Sequence, residues 1–494
     1  MLSVRRRWLI RLRYLGTLMW FFGFILPLPL VLIPFFSQTH FTFSAVAPFI
    51  FPSLASLLLG AALNRTIKLR ALSGTDAVVV VALGWIMVSC LGALPFTIGH
   101  SISFLDAFFE STSGFTTTGI TLLVNLDELP RTLIFWRSLT QWIGGLGILT
   151  LFSVLVFNGE ASHKLFGAES HKVISERPAP GLFSTLRILW SIYSLFTVII
   201  AGLLALEGVS WFDSVNHALT TLSTGGFSPH DASIDFFRRA GYEHYRLIEY
   251  TIILGMGLGG VSFVVHYRLL RGKLSALWES MEIRLFWKII AGASLLVFVN
   301  HLRTHGLGGA LDAFRYSFFQ VVAVLTTTGF ATKDIGSSFF PALARQVFLF
   351  LMIIGGMVGS TSGGFKVFRV GVLWEMVKRQ VRRIVNPNRA VNPLIIDGKI
   401  TPQEEIRRIS ALFFAWVSFI IAGGMITAFF SDLSPLASLS GMFSALGNIG
   451  PSYIPLSQWP KLHPLIKLTY IFGMLAGRLE ILPILLLFSR KVWR

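Results

Sequence analysis

Long apolar runs alternate with short polar breaks along almost the whole chain. Runs long enough to cross about 30 Å of hydrocarbon occupy 15–36, 41–63, 77–98, 133–157, 186–206, 247–270, 285–302, 347–373, 406–430 and 465–488. Ten spans are therefore expected. Four shorter apolar pieces, 104–115, 211–222, 311–325 and 436–446, lie between them. Each is too short to cross and reads as a buried, interfacial or re-entrant helix. Each is followed by a cluster of small residues and then by another span. The order span, short helix, small-residue turn, span thus recurs four times, and an internal repeat of this kind decides the architecture before any single residue does.

The turns align as Thr116-Thr117-Thr118-Gly119-Ile120, Ser223-Thr224-Gly225-Gly226-Phe227, Thr326-Thr327-Thr328-Gly329-Phe330 and Gly447-Asn448-Ile449-Gly450-Pro451. Their last glycines are 107, 103 and 121 residues apart, and Asp106 and Asp213 each stand 13 residues before the glycine of the first two repeats. The expected fold is an all-α polytopic membrane protein. Four repeats of outgoing helix, pore helix and return helix surround a pseudo-fourfold pore, preceded by two extra N-terminal transmembrane helices. The division is 1–75 for those two helices, then 76–178, 179–275, 276–390 and 391–494 for the repeats.

Composition supports lipid as the solvent. Of 494 residues, 53% are hydrophobic and 13% charged, against about 25% charged in ordinary soluble domains. The longest comparatively polar stretch, 366–408, is too short for a soluble partner domain. A single cysteine, Cys90, excludes an internal disulfide or a cysteine metal cluster. The net charge is +18, but its basic residues flank the spans and do not form a soluble basic face. They fit the positive-inside rule and speak against nucleic-acid binding. No cleaved signal peptide is expected, because the apolar run after Arg13 is too long and lacks a clear small-residue cleavage site. With Arg5, Arg6, Arg7, Arg11 and Arg13 cytoplasmic, the chain returns inside at Arg65, Lys68 and Arg70, and every later inside loop is basic. All four short helices then enter from the outer face.

Irregular backbone at membrane depth is tolerated where it is buried in protein or lines a water-filled cavity. Four turns rich in Gly and Thr around one axis supply carbonyl and hydroxyl oxygens that can replace an ion's hydration shell. The C-terminal ends of four short helices aimed at the centre favour a cation. An isolated glycine of this kind would serve close helix packing; four in register read as a filter. A rocking secondary transporter is built from inverted repeats, whereas these repeats share one topology. No paired catalytic carboxylates, His-Glu-x-x-His or nucleophile motif lies in a span, and His217 and His266 are isolated. The chain is not expected to be an enzyme or to carry a covalent cofactor.

The chain resembles the potassium-translocating subunits of the Trk/Ktr/HKT superfamily, its bacterial TrkH branch most of all. The resemblance rests on Phe108-Phe109-Glu110-Ser111 leading into Thr116-Thr117-Thr118-Gly119, and on Gly225-Gly226-Phe227-Ser228 with His230-Asp231-Ala232-Ser233. Phe319-Gln320-Val321-Val322 leading into Thr327-Thr328-Gly329-Phe330, Gly359-Ser360-Thr361, and Gly477-Arg478-Leu479-Glu480 complete it. It implies filter glycines at Gly119, Gly226, Gly329 and Gly450. Potassium would be held by backbone oxygens of Thr117, Thr118, Thr224, Gly225, Thr327, Thr328, Asn448 and Ile449. Glycine in all four places resembles potassium-selective members, and the fourth turn departs most from the pattern.

The run Gly355-Gly356-Met357-Val358-Gly359-Ser360-Thr361-Ser362-Gly363-Gly364 interrupts one return span. Each glycine disfavours helix by about 1 kcal/mol relative to alanine, so a loop is expected there, with a tightly packed glycine-rich helix as the alternative. The resemblance makes it an intramembrane gating loop, and Ser362 stands where relatives often have glycine. Arg478 lies deep in the last span, where a charge is costly and points to function. The resemblance places it beneath the filter near that loop; an ion pair with Glu480 or another carboxylate is compatible. Lys378, Arg379, Arg382, Arg383 and Arg389 form a basic inner segment that suits anionic lipid. The resemblance adds a cytosolic TrkA-type regulatory protein docked on this side, which would bind nucleotide in place of this chain, and a homodimer in the bacterial inner membrane. Potassium moving passively and potassium coupled to sodium or protons both remain open.

Overall fold

The computed structural model describes residues 4–35, 42–67, 73–147, 181–385 and 392–493. The ends of the expected span 133–157 and of the first repeat lie outside these residues, as do Lys68, Arg70 and Arg389.

Two helices, α1 (Val4–Ile25) and α2 (Phe43–Thr66), open the chain and pack as a hairpin. Gly60 lies against the backbone of Trp20 and Gly16 where they cross. Four repeats follow. The outgoing helices are α3 (Gly74–His100), α6 (Leu182–Leu206), α11 (Met281–His305) and α15 (Gln403–Phe429). The short helices are α4 (Phe104–Phe115), α7 (Trp211–Leu222), α12 (Ala310–Leu325) and α16 (Pro435–Gly447). Serine hydroxyls cap three of the short helices, Ser103, Ser210 and Ser434 accepting from Asp106 N, Asp213 N and Ala437 N. Such caps satisfy donors that a helix start leaves open.

The return segments are α5 (Arg131–Gly145), α9 (Tyr245–Gly260) with α10 (Phe263–Leu270), preceded by the short α8 (Asp235–Arg239), α13 (Ala342–Ile354) with α14 (Val367–Val385), and α17 (Pro464–Arg478) with α18 (Leu482–Leu486). Beyond the interruption expected within 347–373, the expected spans 247–270 and 465–488 also break. Among the described residues, six helical segments are long and apolar enough to cross unbroken: Arg7–Phe35, α2 and the four outgoing helices. The last three return segments break: α9 and α10 meet at 104°, a loop separates α13 from α14, and a left-handed turn follows α17. Glycines at 257, 259, 260, 355, 356, 363, 364 and 477 lower the cost of leaving the helix there.

Ion pairs and hydrogen bonds stitch neighbouring repeats together on the side where the short helices begin. Lys467 pairs with Asp106 at 2.5 Å, joining the fourth repeat to the first. His230 pairs with Asp127 at 2.5 Å, and Leu126 N donates to Asp231 at 3.1 Å, joining the second to the first. Arg315 pairs with Glu249 at 2.8 Å, both buried, between the third and second. Tyr453 donates to Arg345 O at 2.5 Å between the fourth and third. His266 and His217 are buried structural residues: His266 Nε2 lies 2.8 Å from Leu258 O, and His217 Nδ1 2.9 Å from Asp213 O.

The His230 contact gives a pH prediction. Burial works against its charge, but hydrogen bonds and attraction from Asp213 and Asp127 outweigh it and raise its pKa above the ordinary 6.5. His217 lies behind it and Phe236 stacks on its ring. A raised histidine pKa means stabilisation that is complete below about 6.5 and fades as pH rises through the folded value. Thermal melts of the native chain and Asp127→Asn should therefore differ most near pH 6 and converge at alkaline pH. A gap that widens with pH would refute the assignment.

Candidate ion-conducting site

Each short helix ends in a turn of one backbone shape. Thr117, Thr224, Thr327 and Asn448 have φ of 54°, 51°, 57° and 53°; two residues later Gly119, Gly226, Gly329 and Gly450 have φ of 81°, 76°, 79° and 103°. Left-handed threonine is costly, and these three are wholly buried, so their surroundings impose it. The amides fold back onto the helix. Thr117 N donates to Gly114 O and Thr118 N to Ser113 O, both at 2.9 Å, and the other three turns repeat the pattern. With the amides used this way, each turn is held against the end of its own short helix.

The glycines show how the turns meet. A Cβ on Gly119 would collide with Gly225 O, one on Gly226 with Thr328 O, and one on Gly329 with Ile449 O; on Gly450 it would lie 3.0 Å from Thr118 O. The contacts run from first repeat to second, third, fourth and back to first. The carbonyl oxygens of Thr118, Gly225, Thr328 and Ile449 therefore form one closed ring. Eight of the twelve expected residues meet in these contacts, and Thr117, Thr224, Thr327 and Asn448 directly precede them in the turns.

The ring's support is unequal among repeats. Nine residues before each glycine stand Glu110, His217, Gln320 and Gly441. Glu110, fully buried, accepts from Leu122 N at 3.0 Å and pairs with Arg137 at 2.9 Å. Arg137 donates across to Ser228 O at 3.0 Å and lies over the Phe227 ring. His217 Nε2 sits 3.3 Å from Ser228 Oγ, and Gln320 donates to Phe330 O at 3.4 Å. At Gly441 the Tyr470 hydroxyl fills the space. Gln141 donates to Gly225 O at 2.7 Å and accepts from Phe227 N at 3.0 Å, while Asn448 donates to Thr118 Oγ1 and Met474 O, both at 2.9 Å. Sequence reasoning missed Glu110, Arg137, Gln141, His217 and Gln320 as supports. For the three on short helices the signal was there: a polar residue at one fixed distance from each of three glycines.

Breaking the Glu110 pair from one side leaves a buried charge, which costs about 3–5 kcal/mol. Arg137→Met should therefore lower the melting temperature sharply, and Glu110→Gln with Arg137→Met should recover much of it. A double variant no better than the single one would contradict the pair's role.

Below the ring, residues 355–366 form a loop and not a helix. Its ends bond to each other through Phe365 N to Ile353 O at 3.0 Å and Lys366 N to Ile354 O at 2.7 Å, where Gly355 and Gly364 approach closely. Its apex meets the filter's lower residues. Gly363 N donates to Thr327 Oγ1 at 2.7 Å, Thr361 Oγ1 lies 3.3 Å from Thr224 Oγ1 and donates to Leu222 O at 2.9 Å. Ser362 O accepts from Lys366 Nζ. Arg478 closes the fourth side, donating to Thr361 O at 2.8 Å, Thr117 Oγ1 at 3.2 Å, Gly144 O at 2.7 Å and Gly145 O at 2.5 Å. After it, Glu480 and Ile481 have φ of 60° and 63°, and Glu480 pairs with Arg369 on α14 at 2.5 Å. Gly356 packs against Ser362, Ser360 donates to Met357 O at 2.6 Å within the loop, and Gly359 O accepts from Phe263 N of α10 at 3.0 Å. The site thus brings together a ring of backbone oxygens from the four turns, a loop packed against it and the part-buried guanidinium of Arg478.

A helical membrane protein with four such repeats belongs to the class of polytopic membrane transport proteins. Residues 49–494 match the family model TrkH, described as cation transport protein. The chain belongs to that family. It is 32% identical over 433 residues to the Trk system potassium uptake protein TrkH of Escherichia coli K12, covering 86% of this chain and 87% of that one. It is also 32% identical to an uncharacterized cation transporter of Methanocaldococcus jannaschii, with 93% and 91% covered. The crystal structure of the potassium transporter TrkH from Vibrio parahaemolyticus matches with a TM-score of 0.86 and 29% identity, over 99% of this chain and all of that one.

Proposed function

We propose that this chain takes up potassium across the bacterial inner membrane as the pore subunit of a Trk-type system. The observation that carries this is the closed ring of Thr118, Gly225, Thr328 and Ile449 carbonyls, each packed on a neighbouring glycine. Oxygens of this ring and of Thr117, Thr224, Thr327 and Asn448 strip and replace the ion's water; the left-handed backbone at Gly119, Gly226, Gly329 and Gly450 keeps side chains out of the path. The relatives named as potassium uptake proteins support the choice of ion.

The loop 355–366 is the gate in this reading, and Arg478 is its latch and an electrostatic barrier. Its residues divide the work: Gly355 and Gly364 form the neck, Gly356, Gly359 and Ser360 the flank, and Thr361, Ser362 and Gly363 the tip. The N-terminus is cytoplasmic, and the repeat boundaries are those given by the sequence. On the cytoplasmic side α14 exposes Trp374, Val377, Val381 and Ile384 beside Lys378, Arg379, Arg382 and Arg383. This helix receives a TrkA-type regulatory protein that binds the nucleotide, and the membrane domain works as a homodimer.

The test is flux through the purified chain in potassium-loaded liposomes under imposed potassium, sodium and proton gradients. Passive potassium flux with slower sodium flux is expected. Flux driven only by a sodium or proton gradient would replace passive permeation by symport.

A further inference from the structure

The break in the second repeat carries the gating loop of the third. Three backbone hydrogen bonds join them: Met357 N to Gly260 O at 3.0 Å, Thr361 N to Gly259 O at 3.2 Å, and Phe263 N to Gly359 O at 3.0 Å. The first two acceptors end α9 and the donor begins α10. The loop is thus laced to both sides of a 104° elbow. The elbow is built to bend, with Gly257, Gly259 and Gly260 before it. His266 pins the start of α10 back to Leu258 O at 2.8 Å, so that turning α10 moves Phe263 and pulls on Gly359.

The far end of α10 has its own chemistry. Arg271, Lys273, Leu270, Leu274 and Trp278 are all exposed, the last three at 58%, 70% and 62%. They stand just before α11 starts its crossing at Met281, so they lie at the polar boundary of the bilayer. Exposed apolar side chains, a tryptophan and fixed positive charges at that depth fit a leaflet surface bearing anionic headgroups.

We propose that residues 263–278 are an anionic-lipid-binding arm whose seating on the cytoplasmic leaflet sets the position of the gating loop. The loop's role as gate rests on the function proposed above; the lipid site does not.

The test uses the full-length chain reconstituted in phosphatidylcholine vesicles or in equimolar phosphatidylcholine and phosphatidylglycerol. Quenching of Trp278 by brominated lipid is read as the difference between the native chain and Trp278→Phe. Brominated phosphatidylglycerol should outcompete brominated phosphatidylcholine, and the preference should fall by roughly fivefold for each charge removed in Arg271→Gln and Lys273→Gln. Potassium flux without any regulatory protein should differ between the two vesicle types in the native chain and not in the double variant. Equal quenching by both lipids, or a preference unchanged in the double variant, overturns the lipid site. A preference with flux indifferent to lipid overturns its coupling to the gate. Flux absent from every vesicle counts against the proposed function, while quenching still decides the lipid site.

Discussion

Replacing Gly329 by alanine should reduce potassium flux to background while leaving the protein in the membrane and folded. Two costs coincide at this residue. A side chain at φ 79° is strained, which costs on the order of 1–2 kcal/mol. The Cβ would also collide with the Ile449 carbonyl and meet Pro451 Cδ at 2.6 Å, so the contact between the third and fourth turns has to open. Gly241 separates the two costs, because its φ is also 79° yet nothing lies within 4 Å of its Cβ position. Gly241→Ala should be a little less stable and transport normally. The four turn glycines should also rank: alanine at 119, 226 and 329 meets a carbonyl head on, whereas at 450 the nearest oxygen is 3.0 Å away. Gly450→Ala should keep measurable flux with weakened potassium over sodium selectivity. Normal potassium flux through well-folded Gly329→Ala would remove the ring from the mechanism.

That ranking also marks how far the sequence could be read. The four turns were legible because each ends a short apolar helix with the same small residues at the same offset, and backbone shape there is dictated by glycine. The loop at 355–366 was legible for the same reason: many glycines in one apolar run. What escaped were breaks and contacts whose cause lies elsewhere in the fold. The run 247–270 is largely apolar and reads as one crossing, yet it bends after Gly260, where the loop of another repeat supplies hydrogen bonds to its broken helix. The end of α17 has no glycine at its left-handed positions; Glu480 and Ile481 are held there by a hydrogen bond from Ile481 N to Ala476 O at 2.6 Å and by the Arg369 pair. The Arg137 and Gln141 contacts with the second repeat span 91 and 84 residues of sequence. No local pattern announces a partner at that distance.

Arg478→Gln should raise potassium flux in the absence of any regulatory protein. The arginine lies after the apolar stretch Ile471 to Leu475, and its guanidinium binds loop, filter and first repeat at once through Thr361 O, Thr117 Oγ1, Gly144 O and Gly145 O. Hydrogen bonds from a charged donor contribute about 1.5–3 kcal/mol each. Losing the equivalent of one of them would shift the balance between blocked and unblocked states about tenfold or more, and removing the positive charge lowers the barrier to a cation just inside the filter. Both effects have the same sign. Glutamine keeps polarity at a shorter reach, and the potassium to sodium ratio should stay near that of the native chain, because the ring of Thr118, Gly225, Thr328 and Ile449 is untouched. The Thr117 contact supplies the contrary outcome. If Arg478→Gln folds normally but flux falls and sodium enters as readily as potassium, the arginine braces the filter from below and the latch lies elsewhere in the loop.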